Sequence, residues 1–298
     1  MTPNGPHAQL GKANRPDGRL RHGTALITGA SSGIGAIYAD RLVRRGHDLI
    51  LVARNRERLE TLARRLTDDT GRSVEIIVAD LNDKADLARV EERLRTDANI
   101  TVLVNNAGIA MSGDLASGDA DRLESMIRLN VLAPSRLALA AIPGFVGRGK
   151  GTLINISSVL ALAPERFNGA YSGTKAYLLN LSLRLQQEVA SRGVRVQVVL
   201  PGATRTEIWE KAGTDIATLP PSMVMDVDDM VDAALAGLDR GEVVTIPALP
   251  DVADWDAYEA ARQRMIPNLS RSVPAARYAT ASTLLTITDP GLKQAAPN

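Results

Sequence analysis

A chain of 298 residues with 45% hydrophobic side chains is long enough to bury the core of one large α/β domain. Its 35 basic and 34 acidic residues leave a net charge of +1 with no basic block, so neither nucleic acid nor a membrane is expected as a partner. The absence of cysteine excludes disulfides, thiolate metal sites and cysteine nucleophiles, and with only His7, His22 and His47 present no metal site is expected.

Residues 1–22 hold turn formers (Pro3, Asn4, Gly5, Pro6, Gly11, Pro16, Gly18) without periodicity and are expected to form a mobile tail. With no apolar signal core and no uninterrupted apolar run near the ~18 residues that a bilayer requires, a cytoplasmic location is expected. From Gly23 the order is a strand over 24–28, a glycine-rich turn over 29–35 and a helix over 36–45. Strands over 48–53, 74–79 and 102–104 then alternate with helices over 56–66 and 86–95. Apolar strands separated by amphipathic helices predict a parallel sheet covered on both faces, and right-handed crossovers make it doubly wound, a Rossmann fold. The next helical region, 121–146, is expected to kink or break at Pro134 and Pro143. A strand over 152–156, a helix over 171–191 and a strand over 194–200 follow. Gly202, Gly213, Pro220 and Pro221 mark a long excursion, after which Asp226 caps a helix bearing Val227, Met230, Val231, Ala234, Leu235 and Leu238 on one face. A strand over 243–246 closes a single catalytic domain of residues 23–250. Residues 251–298 form a C-terminal extension with an amphipathic segment over 255–265 and an end expected to be disordered.

Two stretches carry chemistry. Thr28-Gly-Ala-Ser-Ser-Gly-Ile-Gly35 joins a strand to a helix, where glycine permits close backbone approach to a pyrophosphate lying at the helix N-terminus. Tyr171 and Lys175 are four residues apart and share a helix face. An ammonium roughly 4 Å from the phenol, at an effective dielectric of ~20, would favour the phenolate by ~4 kcal/mol and bring Tyr171 near neutrality.

The glycine spacing is G-x-x-x-G-x-G, and further markers stand in order: Asp80, Asn105-Asn-Ala-Gly108, Asn130, Ser158, Tyr171-x-x-x-Lys175 and Pro201-Gly202. With these the chain resembles the short-chain dehydrogenase/reductase family, its short single-domain branch, over about residues 23–250. The resemblance implies a catalytic set of Asn130, Ser158, Tyr171 and Lys175. Ser158 would hold the substrate oxygen, Tyr171 would exchange the proton, and Lys175 would lower the Tyr171 pKa and bind ribose hydroxyls. Asn130 would hold a water linking Lys175 to solvent. Ser157 is the rival for the serine role, and the thirteen-residue spacing to Tyr171 found in the family favours Ser158. The resemblance also implies cofactor contacts from Gly29, Ser31, Ser32, Gly33, Ile34, Gly35, Asp80, Leu81, Asn106, Ala107, Gly108, Tyr171, Lys175, Pro201, Gly202, Thr204 and Thr206, and a strand-stabilising role for Asn105. Thr204 departs from the aliphatic residue more usual in the family.

In this architecture a carboxylate ending the second strand would repel a 2′-phosphate, and here Ala53 and Arg54 occupy that place. Arg54, helped by Asn55 or Ser31, therefore points to NADP(H). The helix from Tyr171 is apolar over nearly its whole circumference, which with the resemblance predicts a homodimer or homotetramer. Ile109, Ala110, Met111, Leu160, Phe167, Ile208 and Trp209 are the candidate substrate walls, with 204–221 as a closing segment. Arg166, Arg205 and Lys211 keep an acidic substrate open. The expected activity is NADP(H)-dependent interconversion of a carbonyl and a primary or secondary alcohol. The alternatives are a 3-oxoacyl reductase, a 3-hydroxy acid dehydrogenase, or an NADP-binding sensor or scaffold without turnover.

Overall fold

The computed structural model describes residues 22–113, 116 and 118–278. Of the tail expected over 1–22 only His22 is described, and its backbone is held, N–H to Gly46 O (3.4 Å) and O by the Thr101 hydroxyl (2.8 Å); the far C-terminus lies outside the described residues. The chain divides into two compact units, Met1–Ala248 and Leu249–Asn298.

In the first unit the strands are β1 (Thr24–Thr28), β2 (Asp48–Ala53), β3 (Val74–Val78), β4 (Ile100–Asn105), β5 (Gly151–Ile156), β6 (Val194–Val199), β7 (Ala203–Thr204), β8 (Val224–Met225) and β9 (Val244–Thr245). The helices are α1 (Gly33–Arg44), α2 (Arg56–Thr70), α3 (Lys84–Thr96), α4 (Ala120–Ile127), α5 (Ala133–Gly147), α6 (Gly169–Val189), α7 (Ile208–Ala212) and α8 (Val227–Arg240). A parallel sheet runs in the order β3-β2-β1-β4-β5-β6-β9, and β7 pairs with β8 in a separate two-stranded sheet. The order reverses between β1 and β4, which opens a crevice beyond their carboxyl ends.

Side chains alternate between two cores, so each strand must be apolar on both faces. Ile27, Leu49, Leu51 and Val104 pack with α1, α2 and α8 on one face, and Leu26, Ile50, Leu103 and Leu153 pack with α3 and α5 on the other.

The structure departs from the sequence reading in four places. Helix α2 runs to Thr70, beyond its last core leucine Leu66, until Gly71 takes the left-handed conformation (φ 66°) that glycine tolerates. The helical run does not break at Pro134. Pro134 has no N–H for the Asn130 carbonyl, and the ladder instead widens into a π turn over Arg128–Leu132, with Ala133 N–H bonded to Arg128 O. Pro143 lies within a continuous α5, which the apolar core and the Glu91–Arg136 ion pair hold against α3. In the second unit, the segment expected to be amphipathic over 255–265 lies in helix α9 (Val252–Met265), which has no buried residue. Trp255 and Tyr258 lie against each other there with ring centroids 5.5 Å apart.

At the amino ends of β1 and β2, far along the strands from the crevice, the His47 ring lies 5.7 Å from that of His22. Burial, then the charge of His22, pushes the His47 pKa down from 6.5 to about 4 against an opposing backbone bond at Gly23. The unfolded chain therefore takes up a proton near pH 6.5 that the folded chain refuses until about pH 4, so stability is lost as pH falls through this window. The loss expected from His47 is up to about 3 kcal/mol, and His47→Gln should flatten it. Urea midpoints at neutral pH and near pH 4.5 check this; equal slopes for the two proteins would exclude His47 as the cause.

Candidate active site

At the switch point the end of β1 is laced to the end of β4. The Thr28 hydroxyl donates to Val104 O (3.2 Å) and accepts from the Asn106 and Ala107 N–H groups (both 3.0 Å). Gly29 has φ +66°, and a Cβ there would lie 2.9 Å from Ala107 Cα; one on Gly35 would lie 2.4 Å from Gly29 O. Neither position admits a side chain, so the loop turns tightly. Ser32 places no side-chain cap on α1, whose first N–H groups remain available to an anion. This glycine cradle fits a dinucleotide pyrophosphate.

The cleft beyond it, about 890 Å³, is lined by Gly29, Ser31, Ser32, Gly33 and Ile34 of the loop, by Ala53, Arg54, Asn55 and Arg58, and by Asp80, Leu81 and Asn106–Gly108. Thr206, Glu207, Ile208 and Lys211 form its opposite wall. Arg54 is 71% exposed and meets only Asp80, at 3.7 Å, which leaves its guanidinium able to turn onto a phosphate. Asn55 instead spends its side chain capping α2, accepting from Arg58 N–H at 2.9 Å. Of the residues after β6, Thr206 lines the cleft, whereas Pro201 and Thr204 are buried and the Thr204 hydroxyl donates to Gly202 O (3.2 Å).

Asn168 caps α6 by accepting from the Ala170 and Tyr171 N–H groups, which fixes Tyr171 in the first turn of the helix. The buried Tyr171 hydroxyl lies near the Ser158 side chain, whose own hydroxyl donates to Pro201 O (3.5 Å) and accepts from Leu160 N–H (3.2 Å). Ser157 instead donates to Lys175 O (2.7 Å), so the two adjacent serines are separated by what they reach. Lys175 Nζ donates to Ile156 O (3.0 Å) and lies 5.6 Å from the Tyr171 ring centroid. Asn130, on the π turn, donates to Ile109 O (2.9 Å) and Thr174 Oγ1 (3.1 Å) and accepts from Ile109 N–H (3.0 Å). Thr174 donates in turn to Tyr171 O (2.7 Å). It ties Asn130 to the catalytic helix, a role that no spacing in the sequence signals. Asn105 bridges Pro134 O and Asn155 Oδ1, and Asn155 donates to Ser182 Oγ (2.8 Å). This buried ladder under the site also escapes sequence reading, although an asparagine within an apolar strand is its visible trace.

The expected near-neutral Tyr171 is corrected by the geometry. Burial raises the phenol pKa well above its ordinary value, and the Ser158 side chain opposes this only in part. Burial also pushes the Lys175 ammonium down to about 8. Shared withdrawal from water outweighs the attraction assumed at ~4 Å, because the ammonium is directed to a backbone carbonyl. Tyr171 is thus a neutral phenol, a proton donor in waiting.

Around it, Met111 and Met126 pack with Tyr171, flanked by Ile109, Ala110, Leu160 and Phe167. Phe167 stands edge-on to Tyr171 (centroids 5.8 Å) and to Trp209 (6.5 Å), and Trp209 Nε1 donates to Thr204 O (2.8 Å). Ile208, expected on the substrate side, lines the cofactor cleft.

A family model described as short chain dehydrogenase matches residues 23–217. The chain belongs to the short-chain dehydrogenase/reductase family. A short-chain dehydrogenase from Sphingobium yanoikuyae, solved in complex with NADPH, is 53% identical, with coverage of 86% of this chain and 100% of that one and a TM-score of 0.83. The bulky-bulky ketone specific alcohol dehydrogenase from Comamonas testosteroni is 45% identical, covering 87% and 99% of the two chains, with a TM-score of 0.80. A very-long-chain 3-oxoacyl-CoA reductase from Anas platyrhynchos is 34% identical over 191 residues, 62% of this chain and 60% of that protein. Within the short-chain dehydrogenase/reductase family this chain is an NADP(H)-linked oxidoreductase with a tyrosine-containing catalytic cluster.

Proposed function

We propose that the protein reduces ketones carrying bulky apolar substituents to secondary alcohols. The observation that carries this reading is the packing of the buried Tyr171, with Ser158 nearby, against an apolar wall of Met111, Met126, Leu160 and Phe167. Bound NADPH supplies the hydride to the carbonyl carbon. Ser158 positions the carbonyl oxygen and Tyr171 Oη delivers a proton to it as the alcohol forms. A neutral phenol suits this direction, and Lys175, with a pKa near 8, is able to return a proton at neutral pH. Two of the three cations that keep an acidic substrate open are already engaged, Arg205 by Asp226 and Lys211 by Glu207, which leaves Arg166 and weighs against an acidic substrate. The likeness to the Comamonas enzyme supports bulky ketones in particular. The test is NADPH consumption with a panel of aryl and branched ketones, small ketones and 3-oxoacyl thioesters. Saturable turnover is expected with the first group. Turnover of thioesters alone would replace the reading with an acyl reductase, and NADPH binding without any turnover would replace it with a sensor.

The reading includes a second copy of the chain. Ile127, Leu132, Leu139 and Tyr177 are exposed on the outer faces of α4, the π turn, α5 and α6, with Leu139 73% exposed. Apolar area of this kind on a helix face favours burial against a partner. Leu139→Glu should shift a dimeric or larger mass at micromolar concentration towards the monomer, as read by light scattering. A monomeric unmodified protein would overturn the assembly. A cytoplasmic location is also part of this reading, supported by a cysteine-free composition that needs no oxidising compartment.

A further inference from the structure

We propose that Arg58 and Glu207 form a clasp across the NADP(H) cleft whose opening sets the rate of cofactor exchange; the proposal rests on that cleft being the cofactor site. Arg58 is the third residue of α2, on the wall that carries Arg54, and Glu207 immediately precedes α7 on the facing wall. Arg58 Nη1 donates to both oxygens of the Glu207 carboxylate, at 2.8 and 2.9 Å, and joins segments 149 residues apart. Glu207 also accepts from Lys211 Nζ (2.7 Å), and Lys211 O accepts from Arg122 Nη2 of α4 (3.0 Å). One polar chain therefore runs from α2 through α7 to α4. At its other end α7 is tied by Ser112 Oγ, which donates to Ala212 O (2.5 Å).

The residue before Glu207 completes the closure. Thr206 sits over the glycine cradle, where a Cβ on Gly33 would come within 3.2 Å of Thr206 Cγ2. A dinucleotide lying between the Arg54 wall and the Thr206 wall is spanned by the ion pair, and the walls part only when that pair breaks. Arg58 and Glu207 are thus positioning residues, acting on the cofactor through α7. Their side chains are 49% and 39% exposed, so water and salt weaken the pair. An exposed pair of this kind shifts an equilibrium by about two- to fivefold. That suits a clasp that must open in every catalytic cycle.

The test is stopped-flow fluorescence of NADPH and of NADH, each displaced by excess oxidised cofactor, with the unmodified protein, Arg58→Gln, Glu207→Gln and the double variant. Each single variant should speed dissociation of both cofactors by the same two- to fivefold. The double variant should add nothing further, high salt should erase the differences, and association should change less than dissociation. Unchanged dissociation rates would overturn the clasp. So would selective loss of NADPH affinity in Arg58→Gln with a gain in Glu207→Gln, which would make Arg58 a phosphate ligand restrained by Glu207. Absence of any fluorescence change in the unmodified protein would overturn the cofactor site together with the clasp.

Discussion

Replacing Tyr171 by Phe is expected to lower kcat for ketone reduction by about 10²- to 10⁴-fold while NADPH affinity stays within about twofold. The substitution removes one oxygen, the proton donor near Ser158, and keeps the ring that Phe167 meets edge-on at 5.8 Å. The fold should survive, because the ring keeps its packing with Met111 and Met126 and the Ser158 hydroxyl keeps its own partners, Pro201 O (3.5 Å) and Leu160 N–H (3.2 Å). The structure makes the tyrosine hard to replace. Lys175 is turned to Ile156 O, Ser157 to Lys175 O, and Asn130 to Ile109 and Thr174, which leaves the Ser158 hydroxyl, a weaker acid than a phenol, beside the vacated place. Single-turnover rates with bound NADPH, alongside cofactor titrations, separate the two quantities. A loss below tenfold would mean that the proton comes from elsewhere.

Arg54→Ala is expected to raise the NADPH dissociation constant by roughly ten- to a hundredfold, as befits a hydrogen bond to a charged group, and to leave NADH nearly unaffected. Ala53 removes the carboxylate that would repel a 2′-phosphate, and Arg54 extends into the cleft with only a long contact to Asp80. Asn55 caps α2 and Arg58 holds Glu207, which leaves Ser31 of the glycine loop to assist Arg54 at the phosphate. The charge that favours NADPH thus rests on one guanidinium, and its loss should also flatten the salt dependence of binding. Fluorescence titration with both cofactors at two ionic strengths checks this. Parallel weakening of NADPH and NADH would place Arg54 against the adenine instead.

What the sequence made legible was local or carried by spacing. The apolar runs of β1, β2, β4 and β5 announce strands buried on both faces, and the glycine loop is readable because Gly29 and Gly35 occupy places that no side chain can enter. The set of Asn130, Ser158, Tyr171 and Lys175 is legible through the family resemblance, which their order and spacing carry. Its electrostatics are not, because the pKa of Tyr171 depends on how completely the fold withdraws it from water. Partners distant in sequence are equally silent: Thr174 matters through Asn130, Arg58 through Glu207, and Asn105 through Asn155. Helix α9 shows the opposite failure: its segment reads as amphipathic, and none of its residues is buried.

The π turn at Arg128–Leu132 imposes a rule of counting on this chain. A wide turn amounts to one residue inserted into a regular helix, and each added residue rotates the helix on its N-terminal side by about 100° relative to the helix on its C-terminal side. Met126, fully buried against Tyr171, and Leu137, buried in the core beyond the turn, face their separate targets only because of that extra residue. Deleting Val131 would restore an ordinary helical register and swing Met126 out of the substrate wall, with no change in the chemical character of the helix. Between Ile127 and Ala133, Asn130 apart, the number of residues therefore constrains the site more tightly than their identity.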